Sequence, residues 1–164
     1  MKLESLRSLF VEQLGDLYSA EQQITKALPK MIEHTSDSGL KSALSEHLDV
    51  TREQVRRLDR IFDELRDADR DGTKCKGMEG LIKEGDEMTK AKGDPETRDA
   101  GIIAAAQRVE HYEIAGYGCA RTFANLLGRR DWATALQQTL EEEKEADQKL
   151  NQLAERINIE AKAA

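Results

Sequence analysis

Apolar residues recur at spacings of three and four along most of the chain, which is the pattern of amphipathic helices. One apolar stripe runs through residues 6–31, and another runs through residues 132–157. Glu21 falls on the first stripe, and Glu143 and Asp147 interrupt the second. These acidic side chains are therefore expected to face a bundle interior, where a carboxylate must be protonated, ion-paired or bound to a cation.

Glycine, proline and polar clusters mark the breaks between the predicted helices. In chain order the breaks fall at residues 35–39, 67–76, 92–95 and 128–131. The first helix is predicted over residues 3–34 with Pro29 as a candidate kink, and the third long helix is predicted to open at Pro95 or Glu96. A short helix is predicted over residues 78–91. The pattern thus gives two helical hairpins joined by a long crossover.

This connectivity is that of ferritin-like bundles, in which two helices each supply a Glu and the other two each supply Glu-x-x-His. We therefore predict an all-α, ferritin-like four-helix bundle whose long crossover contains a short fifth helix. Nothing in the length or composition calls for a second domain, so residues 1–164 are predicted to form one.

The acidic residues on the apolar stripes share a level along the predicted bundle. Glu21 lies about 15 residues before the first turn and Glu113 about 16 before the second, which is roughly 23 Å down each helix. If the crossover puts the two turns at opposite ends, Glu143 and Asp147 come within about two turns of that level. The spacing therefore predicts one shared site in the middle of the bundle.

The second helix offers fewer ligands to this site. His47 and Glu110 come out level with each other, slightly to one side, and His111 is expected to support ligands rather than bind metal. Thr51 and Gln54 stand where a ligand helix would carry a carboxylate and an imidazole. Divalent iron and manganese accept carboxylate and imidazole ligands, so the predicted set is lopsided but usable.

The overall charge and the cysteines exclude several classes of protein. Lys and Arg number 25 against 32 Asp and Glu, a net charge of -7, which argues against nucleic acid as a partner. No apolar run approaches the roughly 18 residues needed to span a bilayer. No secretion signal opens the sequence, so a cytoplasmic location and two reduced thiols, Cys75 and Cys119, are expected.

Four segments together resemble the YciE/YciF-type ferritin-like stress proteins. They are Asp16-Leu17-Tyr18-Ser19-Ala20-Glu21, Cys75-Lys76-Gly77-Met78-Glu79-Gly80-Leu81, Arg108-Val109-Glu110-His111-Tyr112-Glu113 and Glu142-Glu143-Lys144-Glu145-Ala146-Asp147. The resemblance covers nearly the whole chain. It implies a five-helix, rubrerythrin-related protein, usually dimeric, linked to bacterial osmotic and general stress and carrying a di-metal site. The ligands it implies are Glu21, His47, Glu110, Glu113, Glu143 and Asp147.

Two functions follow as hypotheses. In the first, a carboxylate-bridged pair of iron or manganese ions oxidises Fe(II) or reduces peroxide, and an external reductant is needed because the sequence has no Cys-x-x-Cys pair. In the second, the chain is a non-enzymatic dimeric stress or interaction protein with a vestigial or metal-free site. Its buried charges would then be neutralised by protonation or by Arg108, Arg121 and Lys144.

The crossover supplies a further reason to expect a homodimer. Its residues Met78, Leu81, Ile82 and Met88 are more apolar than a short surface helix requires. We therefore expect a second copy of the chain to cover them.

Overall fold

The computed structural model describes residues 4–66 and 68–163, which form five α-helices and no strand. The helices are α1 (Leu6–His34), α2 (Ser38–Leu65), α3 (Lys76–Lys90), α4 (Pro95–Leu126) and α5 (Arg130–Ala163). The predicted all-α class, the helix order and the short helix in the crossover agree with this arrangement. Helix α1 continues through Pro29. Asp67, in the predicted loop, lies outside the described residues.

Side chains that cap helix starts set the observed bounds. Helix α1 begins at Leu6 rather than at residue 3, itself outside the described residues, because the Ser5 hydroxyl accepts a hydrogen bond from Ser8 N at 3.1 Å. Asp37 caps α2 by accepting from Leu40 N at 2.8 Å. The crossover helix begins two residues earlier than predicted because Cys75 caps it.

The apolar interior is divided into two blocks along the bundle axis. The first block joins the N-terminal halves of α1 and α5 to the C-terminal halves of α2 and α4, and Phe10 stacks on Trp132 there with ring centroids 5.6 Å apart. The second block joins the opposite halves of these helices and includes α3. The turns after α1 and after α4 therefore lie at opposite ends of the bundle, as the arithmetic on levels assumed.

Helix α3 packs on α1 and α4 of its own chain. Met78 is fully buried in the second apolar block, and Leu81, Ile82 and Met88 pack against it. Leu81, Ile82 and Met88 remain only partly buried after this packing, and the homodimer expected to cover them stays a prediction. In the described part of the chain, only Leu126 and one other large apolar residue, in α5, are exposed.

A small polar junction fixes α3 against the bundle. The Tyr112 hydroxyl lies 3.0 Å from Cys75 Sγ and donates to Asp16 at 2.6 Å, while Cys75 N donates to Ser19 Oγ at 3.0 Å. Gly77 is required for this approach, because a Cβ there would lie 2.7 Å from a ring carbon of Tyr112. Three of the four segments that carry the family resemblance thus meet at one point.

The surfaces of the helices are strongly polar. Within residues 4–66 and 68–163, no helix is both long enough and apolar enough to cross a membrane. This finding agrees with the absence of a long apolar run in the sequence.

Candidate metal centre

A layer of buried polar side chains crosses the bundle between the two apolar blocks. Each long helix contributes to it: Glu21 from α1, His47, Thr51 and Gln54 from α2, Glu110 and Glu113 from α4, and Glu143 from α5. The apolar stripe of each helix resumes on either side of its polar members. The layer therefore lies at the mid-bundle level that the spacing predicted.

Four of these side chains converge on one point. His47, Glu110, Glu113 and Glu143 each offer a ligand atom, and these atoms all lie within 4.8 Å of one another. His47 Nε2 is 3.4 Å from Glu110 Oε1 and 3.9 Å from Glu143 Oε2. The structure thus brings four of the six predicted ligand residues into one group, called here the four-ligand cluster. Its size suits a single metal ion.

The four-ligand cluster is left with polar atoms that no described residue satisfies. Neither oxygen of Glu113 accepts a hydrogen bond, and His47 Nε2, Glu110 Oε2 and Glu143 Oε2 are also without a hydrogen-bond partner among the described residues. Leaving a buried polar atom unpaired costs about 1–3 kcal/mol, and more for a charged group. Because one cation could contact all four side chains, the donor set fits a divalent metal.

The electrostatics of the cluster are those of crowded buried carboxylates. Burial raises the pKa of Glu113 well above its usual value, and the charges of Glu143, Glu21 and Glu110 raise it further. The pKa of Glu110 is raised in the same way, first by burial and then by Glu143. The folded protein therefore favours protons or a cation at this point.

Glu21 lies beside the four-ligand cluster and has its own partner. Its Oε1 accepts a hydrogen bond from the hydroxyl of Tyr117, which is fully buried. Burial, followed by the charge of Glu143, raises the pKa of Glu21 well above its usual value. Its other oxygen, Oε2, has no partner among the described residues.

Asp147 lies on the outer side of the polar layer. Its side chain is 18% exposed, and its Oδ1 accepts from Gln107 Nε2 at 3.1 Å and lies 3.4 Å from His111 Nε2. His111 was expected to support the ligands. It is itself 68% exposed, and the predicted ligand that it contacts is Asp147. The structure thus does not place the Asp147 carboxylate in the four-ligand cluster.

A second polar group, called here the Arg57 network, lies next to the cluster. The Arg57 guanidinium donates to both carboxylate oxygens of Glu142 at 2.9 Å, and also to the Thr139 hydroxyl. Gln54 links the two groups, since its amide nitrogen donates to Glu142 Oε2 at 3.2 Å and to Glu143 Oε1. Arg57 was not predicted from the sequence, although this residue follows Gln54 by one helical turn next to the apolar stripe.

The basic residues that the sequence analysis named as internal partners are elsewhere. Arg108 is 57% exposed and lies 3.9 Å from Glu84, Arg121 donates to Gln137, and Lys144 is exposed. That expectation was wrong because the helical register turns these side chains away from the cluster. Arg57 is the buried guanidinium of the polar layer.

Two cavities reach His47. One, of about 180 Å³, is a groove between α2 and α5 lined by Glu46, Glu142, Glu145 and Lys149. The other holds only about 20 Å³ and lies among apolar side chains of α1, α3 and α4, with Glu110 and His47 at its inner end. The first gives a cation an acidic approach, and the second is too apolar to favour one.

Four long helices, a helix in the crossover, and a buried layer of carboxylates with one imidazole define a ferritin-like bundle protein with a candidate metal centre. The chain belongs to the DUF892 family, a domain of unknown function whose model matches residues 5–163. The predicted resemblance is thereby confirmed.

Known relatives agree with this assignment. The chain is 44% identical over 154 residues to protein YciF of Escherichia coli strain K12, covering 94% of this chain and 93% of that protein. The crystal structure of that E. coli stress protein matches with a TM-score of 0.90 at 44% identity, over 94% of this chain and 97% of the other. The predicted ferritin-like fold is therefore confirmed.

Two further solved structures share the fold. YcfI from Rhodopseudomonas palustris is 45% identical, with a TM-score of 0.87 over 92% of this chain and 95% of the other. A protein from Xanthomonas campestris pv. campestris gives a TM-score of 0.72 over 94% of this chain and 93% of the other. Because its identity is 21%, this last match shows the fold alone.

Proposed function

We propose that this chain is a metal-binding protein of the bacterial stress response, in which His47, Glu110, Glu113 and Glu143 hold iron or manganese. The observation that carries the proposal is the convergence of unpaired, buried ligand atoms from three helices on one point. The link to stress rests on similarity to E. coli YciF, which is described as a stress protein.

The surrounding residues have distinct tasks in this proposal. Lys149 pairs with Glu46 and Arg57 with Glu142, so the exposed carboxylate of Glu145 gives the groove beside His47 its negative charge and attracts a cation toward the cluster. The Gln54 amide fixes Glu143 through Oε1 and leaves Oε2 free to bind metal. The apolar blocks above and below keep water away, which strengthens the attraction between a cation and the carboxylates.

The chemistry would be the oxidation of Fe(II). Bound iron would supply one electron per Fe(II) to dioxygen or peroxide, the oxidants considered for this site. The chain's own contribution is to bind and orient the ion through the four ligands. The full sequence has no Cys-x-x-Cys pair to relay electrons, so repeated turnover needs an external reductant.

Metal content and Fe(II) oxidation test the proposal. Protein purified without chelator is analysed for metals, and the metal-free protein is then titrated with Fe(II) in air while the absorption of ferric iron is recorded. We expect bound metal and rapid oxidation in the wild type and in Glu141→Gln, whose carboxylate is exposed one helix position before Glu142. Glu143→Gln should lose both, and equal behaviour of the two variants would contradict the proposal.

A metal-free helical stress protein is the second candidate. Two observations favour it: Gln54 already satisfies one oxygen of Glu143, and the raised pKa values of Glu21, Glu110 and Glu113 allow these carboxyl groups to stay neutral without a cation. If this candidate is correct, the purified protein contains no metal and its melting temperature does not respond to Fe(II) or Mn(II).

The family resemblance also supports a cytoplasmic homodimer. Its mass in solution can be measured by light scattering at micromolar concentration. A monomer mass would contradict the dimer without affecting the metal proposal.

A further inference from the structure

The number of metal ions that the site can hold follows from what helix α2 contributes. Ferritin-like sites for two ions use Glu-x-x-His on two helices. Helix α2 has Thr51 and Gln54 at this three-residue spacing, and α5 has Glu143 and Ala146. The imidazole of the present cluster instead comes from His47, one turn before Thr51. The four ligands of the cluster, including this imidazole, therefore lie together within the polar layer.

The other polar residues of the layer are engaged in hydrogen bonds. The Thr51 hydroxyl is turned back onto the His47 carbonyl at 2.8 Å, so it is engaged within its own helix. The Tyr117 hydroxyl donates to Glu21, and the Gln54 amide nitrogen donates to Glu143. Among the described residues, the buried acceptors of these side chains without a hydrogen-bond partner are Glu21 Oε2 and Gln54 Oε1. These are fewer ligand atoms than the four-ligand cluster offers.

A fixed positive charge adds to this difference. Arg57 is 8% exposed, and its guanidinium keeps its charge at any physiological pH. The guanidinium contacts the Glu142 carboxylate, and Gln54 donates to that same carboxylate and to Glu143, so a cation already lies next to Gln54. A second divalent ion beside Gln54 would therefore lie close to this cation and be repelled by it.

We propose that the site binds one divalent ion per chain, and that Gln54, Tyr117 and Arg57 occupy the place of a second ion. This inference rests on the proposed metal binding and restricts it. The ion sits among His47 and the carboxylates of Glu110, Glu113 and Glu143. Glu21 is a positioning residue, because its Oε1 accepts from Tyr117 and it is not among the four residues whose ligand atoms converge.

Counting Mn(II) ions is the direct test. Metal-free, full-length protein is equilibrated with Mn(II), freed of excess ion by gel filtration, and analysed for manganese per chain, with the electron paramagnetic resonance spectrum as a second readout. We expect one ion per chain and the hyperfine pattern of an isolated Mn(II) ion. Two ions per chain with an exchange-coupled spectrum would leave metal binding intact and overturn the single-ion inference. No retained manganese would overturn the metal proposal itself.

Two variants separate the four-ligand cluster from Glu21. Glu21→Gln should still retain one ion per chain with an affinity within about threefold of the wild type, whereas His47→Ala should retain none at the same Mn(II) concentration. If Glu21→Gln loses the ion as completely as His47→Ala, Glu21 is a ligand and the assignment fails. Circular dichroism confirms that each variant is folded before the ions are counted.

Restoring the missing ligands should create the second position. The double variant Thr51→Glu with Gln54→His supplies Glu-x-x-His on α2, and we expect its manganese content to rise from one to two ions per chain. A folded double variant that still holds one ion would show that side chains other than Thr51 and Gln54 set the number. Should this variant fail to fold, the wild-type count and Glu21→Gln still decide the matter.

Discussion

The four-ligand cluster and the Arg57 network lie side by side in the same polar layer, yet their charges are handled in opposite ways. In the network both oxygens of Glu142 accept hydrogen bonds from Arg57. In the cluster both oxygens of Glu113 are without partners among the described residues. Burial alone would raise the pKa of Glu142, but hydrogen bonds from Arg57 hold that pKa below its usual value. The pKa of Glu113, in contrast, is raised. The candidate ligands of the polar layer are therefore its buried, unpaired carboxylates, whereas Glu142, whose side chain is 23% exposed, is held by Arg57.

The largest expected effect comes from breaking the Arg57 network. Arg57→Ala removes the guanidinium from Glu142, which then keeps only amide donors, and removing one partner of a largely buried ion pair costs about 3 kcal/mol. Urea unfolding of the metal-free variant should show this loss, while Arg60→Ala, at an exposed position on the same helix, should change stability by less than about 0.5 kcal/mol. Equal losses in the two variants would mean that the network contributes no more than a surface contact.

The next effect concerns the cluster with metal. At a Mn(II) concentration of about 100 times the dissociation constant, binding adds about 2.7 kcal/mol to the free energy of unfolding. Thermal melts of wild type and Glu141→Gln should both shift upward with Mn(II). Glu143→Gln should not shift, because a neutral amide replaces a charged ligand. A wild-type melting temperature that changes with neither Mn(II) nor Fe(II) would contradict metal binding at the cluster.

The pH dependence of stability in the metal-free protein should show that carboxyl groups of the cluster hold protons. Burial first, and neighbouring charges second, raise the pKa of Glu110 and Glu113. Between their ordinary and raised pKa values the folded chain holds more protons than the unfolded chain, so the free energy of unfolding falls as pH rises. Each extra proton contributes about 1.4 kcal/mol per pH unit.

Denaturant unfolding of the metal-free protein between about pH 5 and about pH 7.5 measures this slope, with ionic strength held constant. We expect greater stability at the lower pH and a smaller slope in Glu113→Gln. Stability that instead rises with pH across this range would show that the cluster does not hold extra protons.

The smallest expected effect is a difference in the sign of the stability change between two Glu→Gln substitutions, one in each group. In the metal-free protein near neutral pH, Glu113→Gln removes a buried, unpaired carboxyl group that must take up a proton on folding, so it should stabilise by about 1 kcal/mol. Glu142→Gln removes a charge that Arg57 satisfies, so it should destabilise by about 1 kcal/mol. Calorimetry on both variants in the presence of a chelator gives the two signs, and like signs would erase the distinction between the two groups.

The sequence was sufficient for the fold and for the level of the site. Helical periodicity and turn signals predicted all five helices, and counting residues from the turns placed Glu21 and Glu113 at one height, Glu143 within about two turns of it and Glu110 slightly to one side. It could not give the pairing of Arg57 with Glu142, because these residues are 85 positions apart and either could have faced solvent. Contacts between helices depend on how each helix is rotated about its axis.

Asp147 illustrates the same limit. It follows Glu143 by four residues, which rotates its side chain by about 40° around the helix and raises it by about 6 Å. This small rotation is enough to take it from the fully buried position of Glu143 to one that is partly exposed beside His111. Height along a bundle can be counted from a sequence, but an angle of this size decides which side chains meet.

The division of the apolar interior into two blocks separates the survival of the fold from the survival of the site. Phe10, Trp132 and their neighbours pack at one end, and Leu28, Leu40 and Ile157 pack at the other, without help from the ligands. Substitutions in the layer between them change what the protein binds while both ends still hold the helices together. A few replacements in this layer can therefore change its chemistry without unfolding the bundle, and protein engineers can vary the layer while keeping the two apolar blocks constant.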